Sequence, residues 1–295
     1  MATNAATANG RQTIARQAAP AGVRTPRRTP AVGALLTLAR RRAALTAHNP
    51  RQVAVPLLTP ILFAVVLAPA LKQALGGLHS GIDYTAFVAV GTVGLLVPLA
   101  TTFAGLSVLV DRASGAQREM LAAPIPRSWL VLGNLAVVLM LCALQVGTLI
   151  GVAALRGASF HASASGVGWF LAAAILFVVM MSGAAEALAS RIHQQEEYIG
   201  LTPVIAILPW FFAGALFPIA ALPGALTTFA KFLPLTHALA LMRYGLVDPR
   251  GTGLHDIWGM SSTTTEAWLS LVVVAVFAAA LIALAVRAFS RSAVG

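Results

Sequence analysis

The segment TAFVAVGTVGLLVPLATTFAGLSVLV, residues 85–110, decides the fold class because it contains no charged side chain. An α-helix rises about 1.5 Å per residue, so a helix over this segment is long enough to cross the ~30 Å hydrocarbon core of a bilayer. Apolar residues on all sides of a helix, rather than along one stripe, are typical of a helix surrounded by lipid or by other helices. The segment therefore predicts a membrane-spanning helix.

Five more windows without Asp, Glu, Lys or Arg follow the same pattern, at residues 52–71, 128–155, 157–185, 199–230 and 267–286. Over the whole chain 58% of residues are hydrophobic and 10% are charged, whereas soluble proteins carry about 25% charged residues. Too few charges remain to cover a water-facing surface, which excludes a soluble enzyme. The sequence predicts an all-α polytopic membrane protein with six transmembrane helices.

The window at 199–230 is too long for one simple crossing, because as a single helix it would measure roughly 48 Å. It contains Pro203, Pro209, Pro218 and Pro223, and a second apolar piece follows Lys231. We predict one crossing that ends near Phe217 and then a re-entrant segment between helices 5 and 6. Non-helical backbone at membrane depth is tolerated only where protein or water covers it.

The first fifty residues differ from the rest of the chain. Residues 1–30 are rich in Ala, Thr, Pro and Arg and predict a disordered cytoplasmic tail. Residues 31–50 combine leucines with Arg40, Arg41 and Arg42, which predicts an interfacial helix with its arginines toward lipid phosphates. The alternative is an ordinary charged flank of the first span. The transmembrane domain is expected at 51–290.

The net charge of +11 does not indicate a nucleic-acid partner, because most basic residues lie before residue 53 or at the ends of apolar windows. With the N-terminus inside, the outer loops hold only Lys72, Arg156 and Arg250. The positive-inside rule then places both termini in the cytoplasm. The inner flanks hold Arg40–Arg42, Arg51, Arg112, Arg118, Arg127, Arg191, Arg287 and Arg291.

The predicted spans contain few residues that could catalyse a reaction. Glu186 is the one acid within them, and near Arg191 it is expected to snorkel or pair, with a functional role as the alternative. The single Cys142 excludes a disulfide framework, and the residues suggest no metal site. A phosphate-binding loop of the Gly-Lys-Ser/Thr type is also excluded, because Lys72 and Lys231 follow Leu71 and Ala230.

The inner loop between spans two and three carries the most informative motif, DRASGAQREMLAAPIPR at residues 111–127. It predicts a break at Ser114-Gly115, a short helix over 116–123 and a stop at Pro124. Such a helix can insert into a groove on a partner protein. The alternative is a solvated connector, and the residues alone leave both open.

This loop resembles the coupling-helix signature of ABC-2 type exporter permeases, particularly the daunorubicin-resistance-like branch. The matching residues are Asp111, Arg112, Gly115, Arg118, Glu119, Leu121, Pro124 and Arg127. Residues 49–63 are similar to the family's first span, and residues 211–223 and 234–243 to its fifth span and re-entrant region. The departures are Ala113, where an acid is frequent, and Ala116-Gln117 in place of a bulkier pair.

The resemblance implies a permease subunit in a bacterial cell membrane that pairs with a second permease, either an identical copy or a closely related chain, and with separate nucleotide-binding subunits. This chain would need no cofactor, while ATP and magnesium would bind the partner ATPase. The residues that match the coupling segment, and would carry the mechanical link, are Arg118, Glu119, Met120, Leu121 and Pro124. The cargo would be a hydrophobic or amphiphilic drug, antibiotic or lipid.

Candidate path residues are the aromatic side chains Phe63, Phe103, Trp210, Phe211 and Phe212. His237 and Arg243 are candidates in the re-entrant segment, where Arg243 is expected to form a structural ion pair, with contact to the cargo as the alternative. Three alternatives remain. One is export of a lipid-linked polysaccharide. A secondary transporter should show mid-span acids or histidines and an internal repeat, which the sequence lacks. A membrane scaffold would leave the inner loop without a purpose.

Overall fold

The computed structural model describes residues 57–75, 82–116 and 127–292, and within these ranges every regular element is a helix. The predicted tail at 1–30 and interfacial helix at 31–50 lie outside the described residues. The helices are α1 (Leu57–Gln73), α2 (Tyr84–Ala113), α3 (Arg127–Leu155), α4 (Ala164–Ala189), α5 (Gln195–Phe212), α6 (Gly224–Phe232), α7 (Pro234–Leu246), α8 (Thr252–Trp258) and α9 (Thr263–Ser292).

Helix α2 lies at the centre of the fold and contacts α1, α3, α4, α5 and α7. Every side chain from Tyr84 to Pro98 is buried, as expected for a helix that is apolar on all sides. Helix α9 packs along α4, and α7 packs against α2, α4 and α9. Helix α5 packs mainly on α2, which leaves much of its surface uncovered by the rest of this chain.

The all-α polytopic membrane fold is confirmed, since each predicted window contains all or part of a helix among the described residues, and the window at 199–230 contains most of the helix α5, a 3-10 turn and most of α6. In the described ranges α2, α3, α4 and α9 are long and apolar enough to cross a bilayer, and the bent pair α6–α7 is a fifth candidate. Helix α1 is shorter. Helix α5 begins with a polar turn that contains Glu196 and Glu197, so only residues 199–212 form its apolar part.

Helix α5 ends at Phe212, earlier than the predicted end near Phe217. The reason is local, since Gly214 adopts a left-handed φ of 73°, which residues with a side chain rarely adopt. After this break come a 3-10 turn at Ile219–Ala221 and the helices α6 and α7, which meet at 84°. The bend has the form expected of the predicted re-entrant segment.

Small residues allow the helices of the core to approach closely. Gly166 on α4 faces Gly245 on α7 so closely that a Cβ on either would overlap the other's carbonyl oxygen. A Cβ on Gly183 would lie 2.7 Å from the backbone of Leu281 and Ile282 on α9. Small residues at such crossings are the usual means of packing helices in membranes, where no hydrophobic force brings them together.

Aromatic residues mark the predicted outer end of the bundle. Trp169, near the start of α4, packs edge-on against Trp268, near the start of α9, with ring centroids 5.0 Å apart. Trp268 is 57% exposed. Tryptophan is enriched at the level of the lipid head groups, so this pair fits the outer interface of a membrane-spanning bundle.

Asp83 caps the start of α2 and also fixes the turn before α4. It accepts a hydrogen bond from the Thr85 backbone N–H at 2.9 Å and from the Ser159 N–H and Oγ at 2.7 and 2.9 Å. Burial opposes its ionisation, but these hydrogen bonds, together with Lys72, hold the pKa of Asp83 below its ordinary value of 3.8.

Replacing Asp83 by alanine should lower the free energy of unfolding by about 1–2 kcal/mol, because a cap and a turn are lost together. Since folding depresses its pKa, the stabilisation by Asp83 is complete above pH 3.8 and is lost as the pH falls below that value. Thermal unfolding in mild detergent at several pH values measures this. Asp83→Asn, which keeps an acceptor, should lose less; an equal loss in both variants would contradict the capping role.

Candidate functional site

The inner end of α2 is held against the turn between α4 and α5. Arg112 Nη1 donates to the Ile192 carbonyl at 3.2 Å, and the Tyr198 hydroxyl donates to the Ala185 carbonyl at 3.3 Å. Leu109, Ala189, Ile192 and Tyr198 form a small hydrophobic cluster beside these bonds. Because Arg112 lies just before the loop at 117–126, the base of that loop is fixed to the α4–α5 turn.

The predicted coupling residues lie outside the described residues; they are Arg118, Glu119, Met120, Leu121 and Pro124. The start of their loop is described and agrees with the predicted break. Helix α2 ends at Ala113, Ser114 caps it, and Gly115 adopts a left-handed φ of 79°. The regular helix α2 therefore ends where the sequence predicted the break.

Glu186 lies in the described core, near the predicted inner end of α4. Its Oε1 accepts a hydrogen bond from Asn134 Nδ2 of α3 at 2.7 Å, and both side chains are buried. Arg191, the partner considered from the sequence, is exposed. The carboxylate thus links α3 to α4, which is a structural role.

The predicted path aromatics fall into two groups. Phe103 on α2 is 61% exposed and Phe211 on α5 is 48% exposed, so both present apolar surface outside the described bundle. Phe212 is half-buried and packs edge-on against Phe229 of α6 with ring centroids 5.8 Å apart. Phe103 and Phe211 are thus available to lipid, a partner or a cargo, whereas Phe212 connects α5 to α6.

Trp210 is buried and ties α5 to α2. Its indole Nε1 donates to the Gly91 carbonyl at 2.9 Å, and its ring packs edge-on against Phe63 of α1 at 6.5 Å. Gly91 also lets the break after α5 lie close to α2, since a Cβ on Gly91 would overlap the carbonyl oxygen of Ala215. Trp210 and Phe63 are therefore packing residues in this arrangement.

The break after α5 presents three successive carbonyl groups to donors from other helices. Arg243 Nη1 donates to Gly214 O at 2.8 Å, and its Nη2 donates to Ala215 O at 2.6 Å. The Tyr84 hydroxyl donates to Leu216 O at 2.6 Å. The last carbonyls of a helix have no partner within it, so α2 and α7 supply the donors that this break requires.

The ion pair expected for Arg243 is absent from the described part of the chain, where no carboxylate lies within ion-pair distance of its guanidinium. Instead the guanidinium lies over the ring of Phe87, with Cζ 3.4 Å from the ring centroid, and Nη2 also approaches Phe87 O at 3.4 Å. Arg243 is only 8% exposed. Carbonyl groups and an aromatic face take the place of an acid.

His237 also connects α7 to neighbouring helices, on the side of α7 that faces α6 and α9. Its Nε2 lies 2.9 Å from the Lys231 carbonyl at the end of α6, and its Nδ1 lies 3.2 Å from Ser270 Oγ of α9. Ser270 Oγ also accepts a hydrogen bond from Trp258 Nε1 at 2.8 Å. His237 thus joins α6, α7, α8 and α9 and is a structural residue in this arrangement.

A cavity of about 50 Å³ lies beside Arg243, between α7, α8 and the break. Its lining includes Phe87, Thr236, Asp248 and Asp256. Burial raises the pKa of Asp256 above its ordinary value. The volume is enough for a water molecule but far below the roughly 300 Å³ of the smallest ligand pockets, so this arrangement encloses no cargo site here.

The site residues that sequence reasoning missed are those that bind backbone or leave space, namely Tyr84, Phe87, Gly91 and Asn134. A glycine and an asparagine inside apolar windows were visible signals, because both are poor choices for a lipid-facing position. No sequence signal marked Tyr84 as a partner of the Leu216 carbonyl or Phe87 as a partner of Arg243, since every residue has a carbonyl and Phe87 is one of several aromatic residues in the apolar windows.

Comparison with known proteins matches this chain to one family and to several relatives. The sequence model described as ABC-2 type transporter matches residues 33–247. Nodulation protein J of Rhizobium leguminosarum bv. viciae is 28% identical over 191 residues, which are 62% of this chain and 70% of that protein. Its counterpart in R. leguminosarum bv. trifolii is 29% identical over 194 residues, with the same coverage of both chains.

Nodulation protein J of Rhizobium meliloti (strain 1021) is 28% identical over 191 residues, again 62% of this chain and 70% of the relative. The family match over residues 33–247 includes the whole inner loop and the break after α5. The relatives are named for nodulation and not for drug resistance.

Proposed function

The chain belongs to the ABC-2 type transporter family, and from this premise we propose that it is the permease subunit of an exporter driven by a separate ATP-binding subunit. The observation that carries the proposal is the family match over residues 33–247, which includes the DRASGAQREMLAAPIPR loop. The chain is an integral membrane protein of the polytopic helical type. Both termini are placed in the cytoplasm by the distribution of basic residues.

ATP and magnesium bind the partner in this proposal. The full sequence has two lysines, Lys72 and Lys231, and neither follows a glycine, so the chain has no Gly-Lys phosphate-binding loop. The loop at 116–124 is instead the segment that enters a groove of the ATPase. Residues Arg118, Glu119, Met120, Leu121 and Pro124 make this contact, and the Arg112–Ile192 bond supports its base.

A second permease copy completes the transporter, and α5 supports this assignment. Helix α5 packs mainly on α2 within this chain. Its uncovered face is apolar and includes Val204, Leu208 and Phe211, all about half exposed. The two copies meet along this face, with Phe103 and Phe211 beside the path between them, and lipid covers the rest.

The cargo is an amphiphilic molecule. The described spans contain two buried acids. Glu186 accepts a hydrogen bond from Asn134, and Glu266 at the start of α9 accepts one from the Met260 N–H. Both carboxylates bind groups of this chain, which favours a cargo that needs no ionic partner within the spans. The sequence favoured a drug, an antibiotic or a lipid, with a lipid-linked polysaccharide as the alternative, and the matched relatives are named for nodulation. A lipid-linked saccharide is therefore tested beside a drug.

The first test is affinity purification of the tagged chain from its native membrane in mild detergent, followed by mass spectrometry. We expect an ATPase with a phosphate-binding loop in stoichiometric amount. Leu121→Asp should remove it, because a carboxylate on the buried side of a docked helix is costly to desolvate. Glu119→Lys should leave the complex assembled but uncouple ATP hydrolysis from export.

Two matched variants control this test. Leu155→Asp makes the same chemical change at a side chain that is 88% exposed at the end of α3, and Glu197→Lys reverses an exposed acid of α5. Both should retain the ATPase and export. Retention of the ATPase and of export in Leu121→Asp and Glu119→Lys would contradict the coupling role. Recovery of the wild type without any ATPase would contradict the permease assignment.

The cargo is tested in inside-out vesicles that contain the chain and its ATPase. ATP-dependent uptake of a labelled lipid-linked oligosaccharide, without uptake of a planar aromatic drug, would assign the saccharide; the reverse result would assign the drug.

A further inference from the structure

We propose that Arg243 is a positioning residue that holds the break after α5 against α2, and that release of its carbonyl contacts opens the outer end of the transport path. The first half stands on the contacts alone. The second half rests on the proposed function.

The shape of the arginine side chain fits the backbone that it binds. Its two terminal nitrogens reach two successive carbonyl groups, Gly214 O and Ala215 O, at 2.8 and 2.6 Å. The guanidinium plane lies over the Phe87 ring at the same time. A planar fork of fixed geometry makes both bonds at once, whereas a lysine ammonium is a point charge that cannot reproduce them together with the stacking.

Because of where they lie, these hydrogen bonds hold the break in its position. Gly214 and Ala215 follow the end of α5, where the helix can no longer supply donors for its own carbonyls. On the other side of the break Gly91 and Trp210 bring α2 and α5 together. If Arg243 withdraws, two buried carbonyls lose their donors, so the break must move toward water or lipid head groups.

Because the acceptors are neutral, the hydrogen bonds of Arg243 can also be broken. A guanidinium paired with a buried carboxylate would leave an isolated charge behind on separation, which is very costly. Here the acceptors are neutral carbonyls, which can turn to water. Arg243 and Thr236 further border the cavity of about 50 Å³, and Arg243 Nε and Thr236 Oγ1 have no hydrogen-bond partner among the described residues. The guanidinium is therefore bounded by space on one side and not by a fully packed core.

The test measures how often the break opens. Leu216, half-buried within the break, is changed to cysteine in a Cys142→Ala background, and a membrane-impermeant maleimide is applied from outside. Labelling should be slow with Arg243 present, because reaction requires opening. Arg243→Lys should accelerate labelling by roughly tenfold, since hydrogen bonds to a charged group are lost.

Two further variants keep the result interpretable. Arg250→Lys makes the same change at an exposed outer position and should leave the labelling rate unchanged. Tyr84→Phe removes the hydroxyl bond to Leu216 O and should accelerate labelling by roughly two- to tenfold. If Arg243→Lys does not accumulate in the membrane, Tyr84→Phe decides. Unchanged labelling in Arg243→Lys, and in Tyr84→Phe where Arg243→Lys does not fold, would overturn the positioning role.

Labelling needs neither ATPase nor cargo, so it separates this proposal from the proposed function. In the complete transporter Arg243→Lys should hydrolyse ATP at a rate within about twofold of wild type while export falls by roughly tenfold, because an outer end that opens without ATP is no longer coupled to hydrolysis. Faster labelling with unchanged export would overturn the second half of the proposal alone. Failure to find an ATPase would overturn the proposed function and leave the labelling result valid.

Discussion

Alanine at position 91 is expected to displace the break after α5 and to leave little folded protein in the membrane. A Cβ on Gly91 would overlap the Ala215 carbonyl oxygen and would lie 2.9 Å from the Ala215 carbonyl carbon and 2.8 Å from Arg243 Nη2. Backbone atoms cannot rotate away, so the break itself must shift. Overpacking typically costs 1–3 kcal/mol and occasionally more. We expect about 3 kcal/mol or more, because the bonds of Arg243 also lengthen.

Fluorescence-detected size exclusion after heating measures the loss of stability in detergent. Gly147→Ala on α3 is the matched control, because a Cβ there would meet nothing within 4 Å. That variant should be unchanged or more stable by up to about 1 kcal/mol, since alanine is a better helix former than glycine. If Gly91→Ala unfolds at the same temperature as Gly147→Ala, the close approach of the break to α2 is wrong.

Replacement of Glu186 by leucine should be the second most damaging change, at about 1–3 kcal/mol. The buried Asn134 amide donates to Glu186 Oε1 at 2.7 Å, and leucine leaves that donor without this acceptor. An unsatisfied buried donor costs its full desolvation penalty, which exceeds the net value of the hydrogen bond. We therefore expect weaker packing of α3 on α4, measured by the same thermal assay.

A double-mutant cycle isolates this pair. Glu186→Gln keeps an acceptor oxygen and should lose less than Glu186→Leu. Asn134→Leu combined with Glu186→Leu should be less damaging than the sum of the single changes, because no orphaned donor remains. Strict additivity of the two leucine variants would show that the pair does not interact.

The helices were predictable from the sequence because each side chain has its own free energy of transfer from water into lipid. Each apolar side chain contributes to transfer into lipid independently of the fold, so a charge-free window is sufficient to locate a span. The break was predictable as well, from the length of the 199–230 window and its prolines. Its position was less so, since Gly214 and not a proline ends the regular helix of α5.

The partners of Arg243 could not be predicted, although its burial could. A buried charge must be stabilised, and from sequence an acid is the natural candidate. The structure uses the carbonyl groups of Gly214 and Ala215, which lie 29 and 28 residues away along the chain. No side-chain type marks a backbone acceptor, so such a bond follows only from the path of the chain in three dimensions.

The sequence also could not predict which aromatic residues are buried and which are exposed. Phe63, Trp210 and Phe211 look alike in an apolar window, yet the structure buries Trp210 and leaves Phe211 exposed. Helical position alone did not separate packing from exposure here, because both faces of α5 are apolar. The coupling residues remain a prediction from the motif.

The short apolar part of α5 has a consequence for the surrounding lipid. Residues 199–212 cover roughly 21 Å along the helix axis, whereas the hydrocarbon core measures ~30 Å. Where α5 borders lipid at the edge of the proposed contact between the two copies, we expect acyl chains to compress or tilt to match it, at a cost of fractions of a kcal/mol for each ångström of mismatch. A thinner bilayer there would give a polar head group that crosses beside α5 a shorter hydrocarbon barrier than elsewhere in the membrane.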